Sequence, residues 1–284
     1  MKRMLPLFFL LVALLPLGAS AQIASRVIRA QVAGVDVIAY RTGVEEIVTI
    51  RGSLPAGDAF SPPANPAIAT LVAGMLDKGT TAQGKFELAE KLERVGATIA
   101  FGAGAYHATF SARCLKEDLP LVVGLLAEQM RSPAFAPDEF GKYQQQLIGG
   151  LRRQLESTNA RADIAFTRAI YPPGHANRQA SIEELIAGVE AAGVEDLRRF
   201  HAAYYGPAGM TFVATGDINP GGLHAELQKS FSGWTGGGAA PLAVPQSAKA
   251  GVDAAGEQTI LVPGKTSVSL VWGEATGLKY RDSD

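Results

Sequence analysis

The spacing of apolar residues changes several times along the chain, and each change marks an element. Val27 to Val32, Val35 to Tyr40 and Glu46 to Gly52 are β-branched, partly alternating runs separated by Gly34 and by Thr42-Gly43, which predicts three short strands. Gly57 to Pro66 is rich in Gly, Pro and Asp and reads as a loop. A helix is expected over 66–77, with Asn65 as its cap, Pro66 in its first turn and Gly79 as its stop. Phe86 to Val95 sets Leu88, Leu92 and Val95 on one face of an amphipathic helix. Ala97 to Phe101 and Ala105 to Leu115 predict a hairpin around Gly102 and Gly104. Helical spacing then recurs over 118–131, 137–156, 160–170, 182–190 and 194–204. A strand at Met210 to Thr215 and a helix at Pro220 to Phe231 complete this part.

The two ends have a different texture. Lys2 and Arg3 precede an apolar run, Leu5 to Leu17, and Ala19-Ser20-Ala21 has the small residues of a signal-peptidase site. Residues 1–21 are therefore expected to be a signal peptide, and the protein to be exported, into the periplasm if its source is a Gram-negative bacterium. No later stretch is long and apolar enough to span a bilayer, so no membrane anchor is expected after cleavage. Residues 22–232 read as one α+β domain. Residues 233–256 are crowded with Gly, Ala and Pro and read as a linker. Thr259 to Val262 and Ser267 to Trp272 predict the opening strands of a second unit over 257–284, which would be incomplete, because two strands alone are only marginally stable.

Composition narrows the function. The 284 residues carry 26 Lys+Arg against 27 Asp+Glu, so there is no net field to attract nucleic acid. With 47% hydrophobic residues the chain is not a disordered tail. One cysteine, Cys114, forms neither an internal disulfide nor a thiolate cage, and its place in a strand reads as a small buried hydrophobe. Pro263-Gly264-Lys265-Thr266 resembles the end of a phosphate loop, but Thr259 stands where the first glycine is required. The Gly102/Gly104 pair lacks the third glycine of a dinucleotide turn, and no Gly-x-Ser-x-Gly elbow occurs. His107, His175, His201 and His224 each lack a second ligand at helix spacing and are read as structural.

A series of landmarks then gives the chain a family likeness. They are Met75-Leu76-Asp77-Lys78-Gly79-Thr80, the helix and turn from Phe86 to Ala97, and Arg131-Ser132-Pro133-Ala134-Phe135. Ala202-Ala203-Tyr204-Tyr205-Gly206-Pro207, Phe212 to Ile218 and Phe231-Ser232-Gly233-Trp234 follow in order. The series resembles the insulinase, or M16, peptidase family, which includes the mitochondrial processing peptidases. The likeness runs from about residue 27 to 234 and resumes near 258. It implies that family's metallohydrolase fold, an α+β architecture with a mostly antiparallel sheet, helices on one side and a truncated second repeat.

Active members carry an inverted zinc motif, His-x-x-Glu-His, on the helix before the Met-Leu segment. Two histidines one turn apart grip the ion, and the glutamate activates its water. Alignment on Met75 puts these positions at Thr70, Ala73 and Gly74, and the distant glutamate near Gly149 or Gly150. Those residues offer no ligand set and no general base, and Asp77, one turn on, reads as a helix-end carboxylate. The resemblance thus implies a non-catalytic lobe without zinc of its own, paired with an active M16 subunit that carries the zinc and enclosing peptide substrates. The Arg and Tyr that inactive partners often supply would fall beyond Asp284. The resemblance also implies that an extended peptide adds as a strand near Phe101, Gly102, Ala103, Gly104, Ala105, Tyr106 and His107, although the same residues read equally well as an ordinary glycine-rich turn. Two other readings stand beside this one: a peptide-binding or assembly module with no peptidase partner, and a metallopeptidase with a relocated site using His107 or His175.

Overall fold

The computed structural model describes residues 26–175, 177–238 and 256–274. The expected signal peptide and residues 239–255 of the expected linker lie outside the described residues. Six strands form one sheet: β1 (Val27–Val32), β2 (Val35–Arg41), β3 (Ile47–Leu54), β4 (Thr98–Ala103), β5 (Ala108–Leu115) and β6 (Thr211–Gly216). Their order across the sheet is β1-β2-β6-β3-β5-β4. Only β2 and β6 run parallel; the other four pairings are antiparallel, as the mostly antiparallel expectation had it.

Alternation explains both the strands and the layer on top of them. Val35, Val37 and Ala39 of β2, Phe212 and Ala214 of β6, and Ala108, Phe110, Ala112 and Cys114 of β5 all point into one buried face. The opposite face shows Asp36, Thr109 and Arg113 to solvent. The buried face is covered by helices whose apolar stripes match it. In chain order the helices are α1 (Ile68–Met75), α2 (Lys85–Arg94), α3 (Leu119–Arg131), α4 (Pro137–Leu155), α5 (Thr158–Ile170), α6 (Ile182–Ala191), α7 (Val194–Tyr204) and α8 (Pro220–Phe231), of which α5, with no buried residue, packs mainly on α4. Leu71, Val72 and Met75 of α1, Val122, Leu126 and Met130 of α3, and Leu223, Leu227 and Phe231 of α8 join the sheet residues in one core. Fully burying each of the larger side chains contributes about 1.5–3 kcal/mol against unfolding.

The helix ends show what set their lengths. Ser157 caps α5, Asn219 caps α8, and Ser181 with Glu184 forms a reciprocal capping box on α6. α1 is shorter than the expected 66–77, and its N-cap is Ala67, with no side-chain cap. The preceding loop supplies the acceptors instead: Asn65 Oδ1 takes the Ala67 N–H at 3.1 Å, and Ser61 Oγ takes the Ala69 N–H at 3.0 Å. These bonds tie the chain to the loop before the helical path begins.

One expectation fails. Thr259 to Val262 and Ser267 to Trp272 form no strand among the described residues. The second run does alternate, with Val268, Leu270 and Trp272 exposed and Ser269 turned inward, but no neighbouring strand among the described residues offers a ladder. It lies instead along α5, where the Ser269 hydroxyl donates to Thr158 Oγ1 at 2.8 Å and Lys265 sits 3.5 Å from Glu156. The start of the expected linker is also held in place: Gly237 bridges Ala208, and Gly236 packs against Gly206.

Candidate functional site

α1 turns two faces outward from its own axis. Ile68, Leu71, Val72 and Met75 are buried in the core, while Thr70 and Gly74, one turn apart, lie half-buried along a second stripe. Ala73 is buried at 2% exposure. The structure therefore brings together the positions aligned with the zinc motif, and each is occupied by something other than a metal donor.

Gly74 is a notch. A Cβ built there would lie 2.0 Å from Tyr143 Oη and 2.2 Å from Tyr143 Cζ, so the phenol of α4 rests directly on the helix backbone. Burial raises the pKa of that phenol, and the nearby Asp77 charge adds to the rise. Lys78 sits 5.8 Å above the same ring and pairs with Asp77 at 2.9 Å. Asp77, half-exposed beyond the end of α1, is thus an ion-paired helix-end carboxylate.

Thr70 meets a different group. Its hydroxyl is hydrogen-bonded to Asp58, which belongs to a short 3-10 turn, Asp58–Phe60, between β3 and α1. Burial pushes the Asp58 carboxyl up to about 6, and the Thr70 bond opposes the rise. The residue still presents surface to solvent, which screens the group.

These residues do not fit the zinc that the resemblance implies for active members. A tetrahedral site needs three protein donors converging on one point. Gly74 has no side chain and Ala73 has only a methyl. Gly149 and Gly150 would place a Cβ near nothing but the Arg153 guanidinium, a cation. Among the described residues no three His, Cys, Asp or Glu side chains gather closely enough to hold a metal.

His201, His175 and the cysteine have structural surroundings. His201 Nε2 lies 2.8 Å from the Met130 carbonyl and its ring stacks on Tyr205; burial lowers its pKa, and the Met130 contact raises it. His175 stacks on Tyr171 at 4.5 Å and accepts the Asn177 N–H. The Cys114 thiol is pushed up to about 11 by burial and then by Asp118, the reverse of an activated nucleophile.

The second candidate region is the hairpin. β4 is an edge of the sheet, paired only with β5. Gly104 N–H donates to the His107 carbonyl at 2.9 Å, which sets the phase of the ladder. The alternation of an antiparallel pair then directs the main-chain groups of Thr98, Ala100 and Gly102 at β5, and those of Ile99, Phe101 and Ala103 away from it. Of the seven residues proposed for peptide binding, Phe101, Gly102 and Ala103 lie on this edge. Gly104, Ala105, Tyr106 and His107 form the turn, where the Gly104 and Ala105 carbonyls accept the N–H groups of Asp58 at 2.9 Å and Ala59 at 2.8 Å. Asp58 therefore touches both regions, through its main chain to the hairpin and through its side chain to α1. Sequence reasoning missed Asp58 and Tyr143, although a glycine inside a helical pattern was a signal that another group comes close.

The comparisons agree with this architecture. The model for Insulinase (Peptidase family M16) matches residues 37–170, and the model for the Peptidase M16 inactive domain matches residues 192–277. No curated protein sequence matches the chain. Among solved structures, a peptidase M16 inactive domain from Pseudomonas fluorescens is 21% identical over 72% of this chain and 50% of its own, with a TM-score of 0.66. The first half of the periplasmic protease PqqL from Escherichia coli is 18% identical over 75% of this chain and 47% of its own, with a TM-score of 0.66. The ferredoxin protease FusC, in complex with Arabidopsis ferredoxin, is 17% identical over 77% of this chain and 24% of its own, with a TM-score of 0.64. This chain spans about half or less of the length of these structures, and the likeness to them is one of fold. The two family models together cover most of the sheet and its helices, and the chain belongs to the M16, or insulinase, peptidase family.

Proposed function

We propose that this chain is a non-catalytic lobe of an exported M16 peptidase, which pairs with a zinc-bearing homologue and holds peptides by strand addition along β4. The observation that carries the reading is the contrast at one corner of the fold. The stripe of α1 aligned with the zinc motif holds Thr70 and Gly74 under Asp58 and Tyr143, while the edge beside it keeps outward main-chain groups at Ile99, Phe101 and Ala103. Strand addition draws its affinity from main-chain hydrogen bonds, so it does not need the lost side chains. The fold shared with a periplasmic protease and with a protease in complex with a protein supports export and substrate holding.

The test is co-purification and turnover. Expressed with an His-x-x-Glu-His homologue, the chain is expected to form a stable complex that cleaves peptides faster than the homologue alone, with zinc only in the homologue. No complex and no gain in rate would leave the partnerless binding module as the better reading. Stoichiometric zinc in the isolated chain would overturn both and restore the relocated-metal reading.

A further inference from the structure

We propose that Tyr143 physically closes the metal site, so that the family's zinc motif cannot be rebuilt on α1 while this tyrosine is present. The ligand positions are not merely vacant of donors; one of them is filled from a neighbouring helix. Tyr143 Oη, Cζ and Cε1 would stand 2.0, 2.2 and 2.7 Å from any Cβ at position 74. Real Cβ atoms essentially never approach heavy atoms that closely. A histidine at 74 would need its first side-chain atom where the phenol already is. Glycine is also the poorest helix former apart from proline, and Gly74 sits inside α1, next to its last residue, where its use needs such a reason.

A side chain at 74 has to displace the phenol end of Tyr143, and because α4 is pinned on both sides of that residue only rotation of the tyrosine side chain itself can clear the notch. The next residue, Gln144, donates through Nε2 to the Val189 carbonyl at 2.7 Å and the Ala192 carbonyl at 3.1 Å, fixing α4 against the end of α6. One turn earlier, Glu139 takes Lys85 at 3.2 Å, which ties α4 to the start of α2. Tyr143 itself is packed against the core and covered by Lys78. Glycine at 74 and tyrosine at 143 therefore form one interlocked unit. The tyrosine excludes the ligand, and the absence of a ligand side chain makes room for the tyrosine.

Two sets of variants test this. In the first, Gly74→Ala is expected to lower Tm by about 5 °C in the parent chain, as overpacking does, and to leave Tm unchanged or higher in a Tyr143→Ala background. Equal effects of Gly74→Ala in the two backgrounds would overturn the interlock. In the second, Thr70→His, Ala73→Glu, Gly74→His and Gly150→Glu are combined with and without Tyr143→Ala, and zinc binding is followed by calorimetry and elemental analysis. At least about tenfold tighter zinc binding is expected when Tyr143 is removed, a difference of about 1.4 kcal/mol. The same affinity in both, or no binding in either, would sink the claim that the tyrosine closes the site. The melting arm is read without metal, so the interlock stands or falls by itself.

Discussion

α1 and β4 lie against each other, and they have kept different things. The α1 stripe depends on side-chain atoms at fixed positions, and with Thr70, Ala73 and Gly74 there it offers no ligand set and no base. The β4 edge depends on main-chain N–H and C=O groups, which every residue but proline carries, and Ile99, Phe101 and Ala103 still present them. Metal ligation needs particular side chains at particular positions, whereas strand addition tolerates almost any sequence. A lobe that drops catalysis can in this way retain a surface for an extended peptide without any residue being selected for it.

The sharpest way to break that contrast is at the joint between the two regions. Gly57 lies under the hairpin tip, where a Cβ would stand 2.2 Å from the Gly104 oxygen, 2.4 Å from the His107 nitrogen and 2.5 Å from the Tyr106 carbonyl carbon. All three are backbone atoms, so no flexible side chain can yield. Gly57→Ala is expected to cost about 3 kcal/mol and lower Tm by roughly 6–12 °C, measured by thermal unfolding. A change within about 2 °C would mean that the tip moves freely over the 57–59 segment and that β4 is not held beside α1.

How much of this was legible beforehand follows the range of the interactions involved. The strands β1 to β6 and the helices announced themselves through spacing, because burial on one face imposes a period on neighbouring residues. The ends of α1 did so only in part: Asn65 takes the Ala67 N–H as the expected cap would, but the helical path begins only at Ile68, and Ser61, eight residues before Ala69, takes that residue's N–H, a contact that spacing does not signal. Ser267 to Trp272 has a strand's alternation and makes no strand, since alternation reports which faces differ and cannot supply a partner. In the site, the degenerate positions were visible by alignment to a motif. Tyr143 and Asp58 were not, because their roles arise from tertiary contact with Gly74 and Thr70.

The edge itself is tested by removing one outward donor. Ala103→Pro deletes an N–H that points away from β5, so the hairpin loses no ladder bond and Tm should move by less than about 2 °C. Peptide retention by the assembled complex should fall about tenfold, from one missing main-chain bond and the bulk of the ring. Unchanged retention, read by fluorescence anisotropy of a labelled peptide, would remove β4 as the binding edge. Ala105→Pro is a poorer probe, because the Ala105 carbonyl already holds the Ala59 N–H and a change there disturbs the joint.

The smallest expected effect is a pH dependence whose sign singles out Asp58, at the joint of the two regions, from titrating groups elsewhere in the fold. Burial raises the folded pKa of Asp58 from 3.8 to about 6, so the folded state prefers it protonated. Its contribution to stability is complete below pH 3.8 and is lost as pH rises through about 6. His201 behaves oppositely: burial lowers its pKa from 6.5, so its contribution is complete above pH 6.5 and declines as pH falls through the lowered value. Asp217, held low first by Lys116, likewise contributes above its ordinary value of 3.8 and loses that contribution as pH falls. Asp58→Asn imitates the protonated acid permanently. Its Tm should match the parent near pH 3.5 and exceed it by about 2 °C at most near pH 7, with the gap opening between pH 4 and 6, since solvent contact screens the group. A gap that is flat, or that opens in the other direction, would mean that Asp58 is not crowded against α1, and that the hairpin and α1 are coupled only through the main chain.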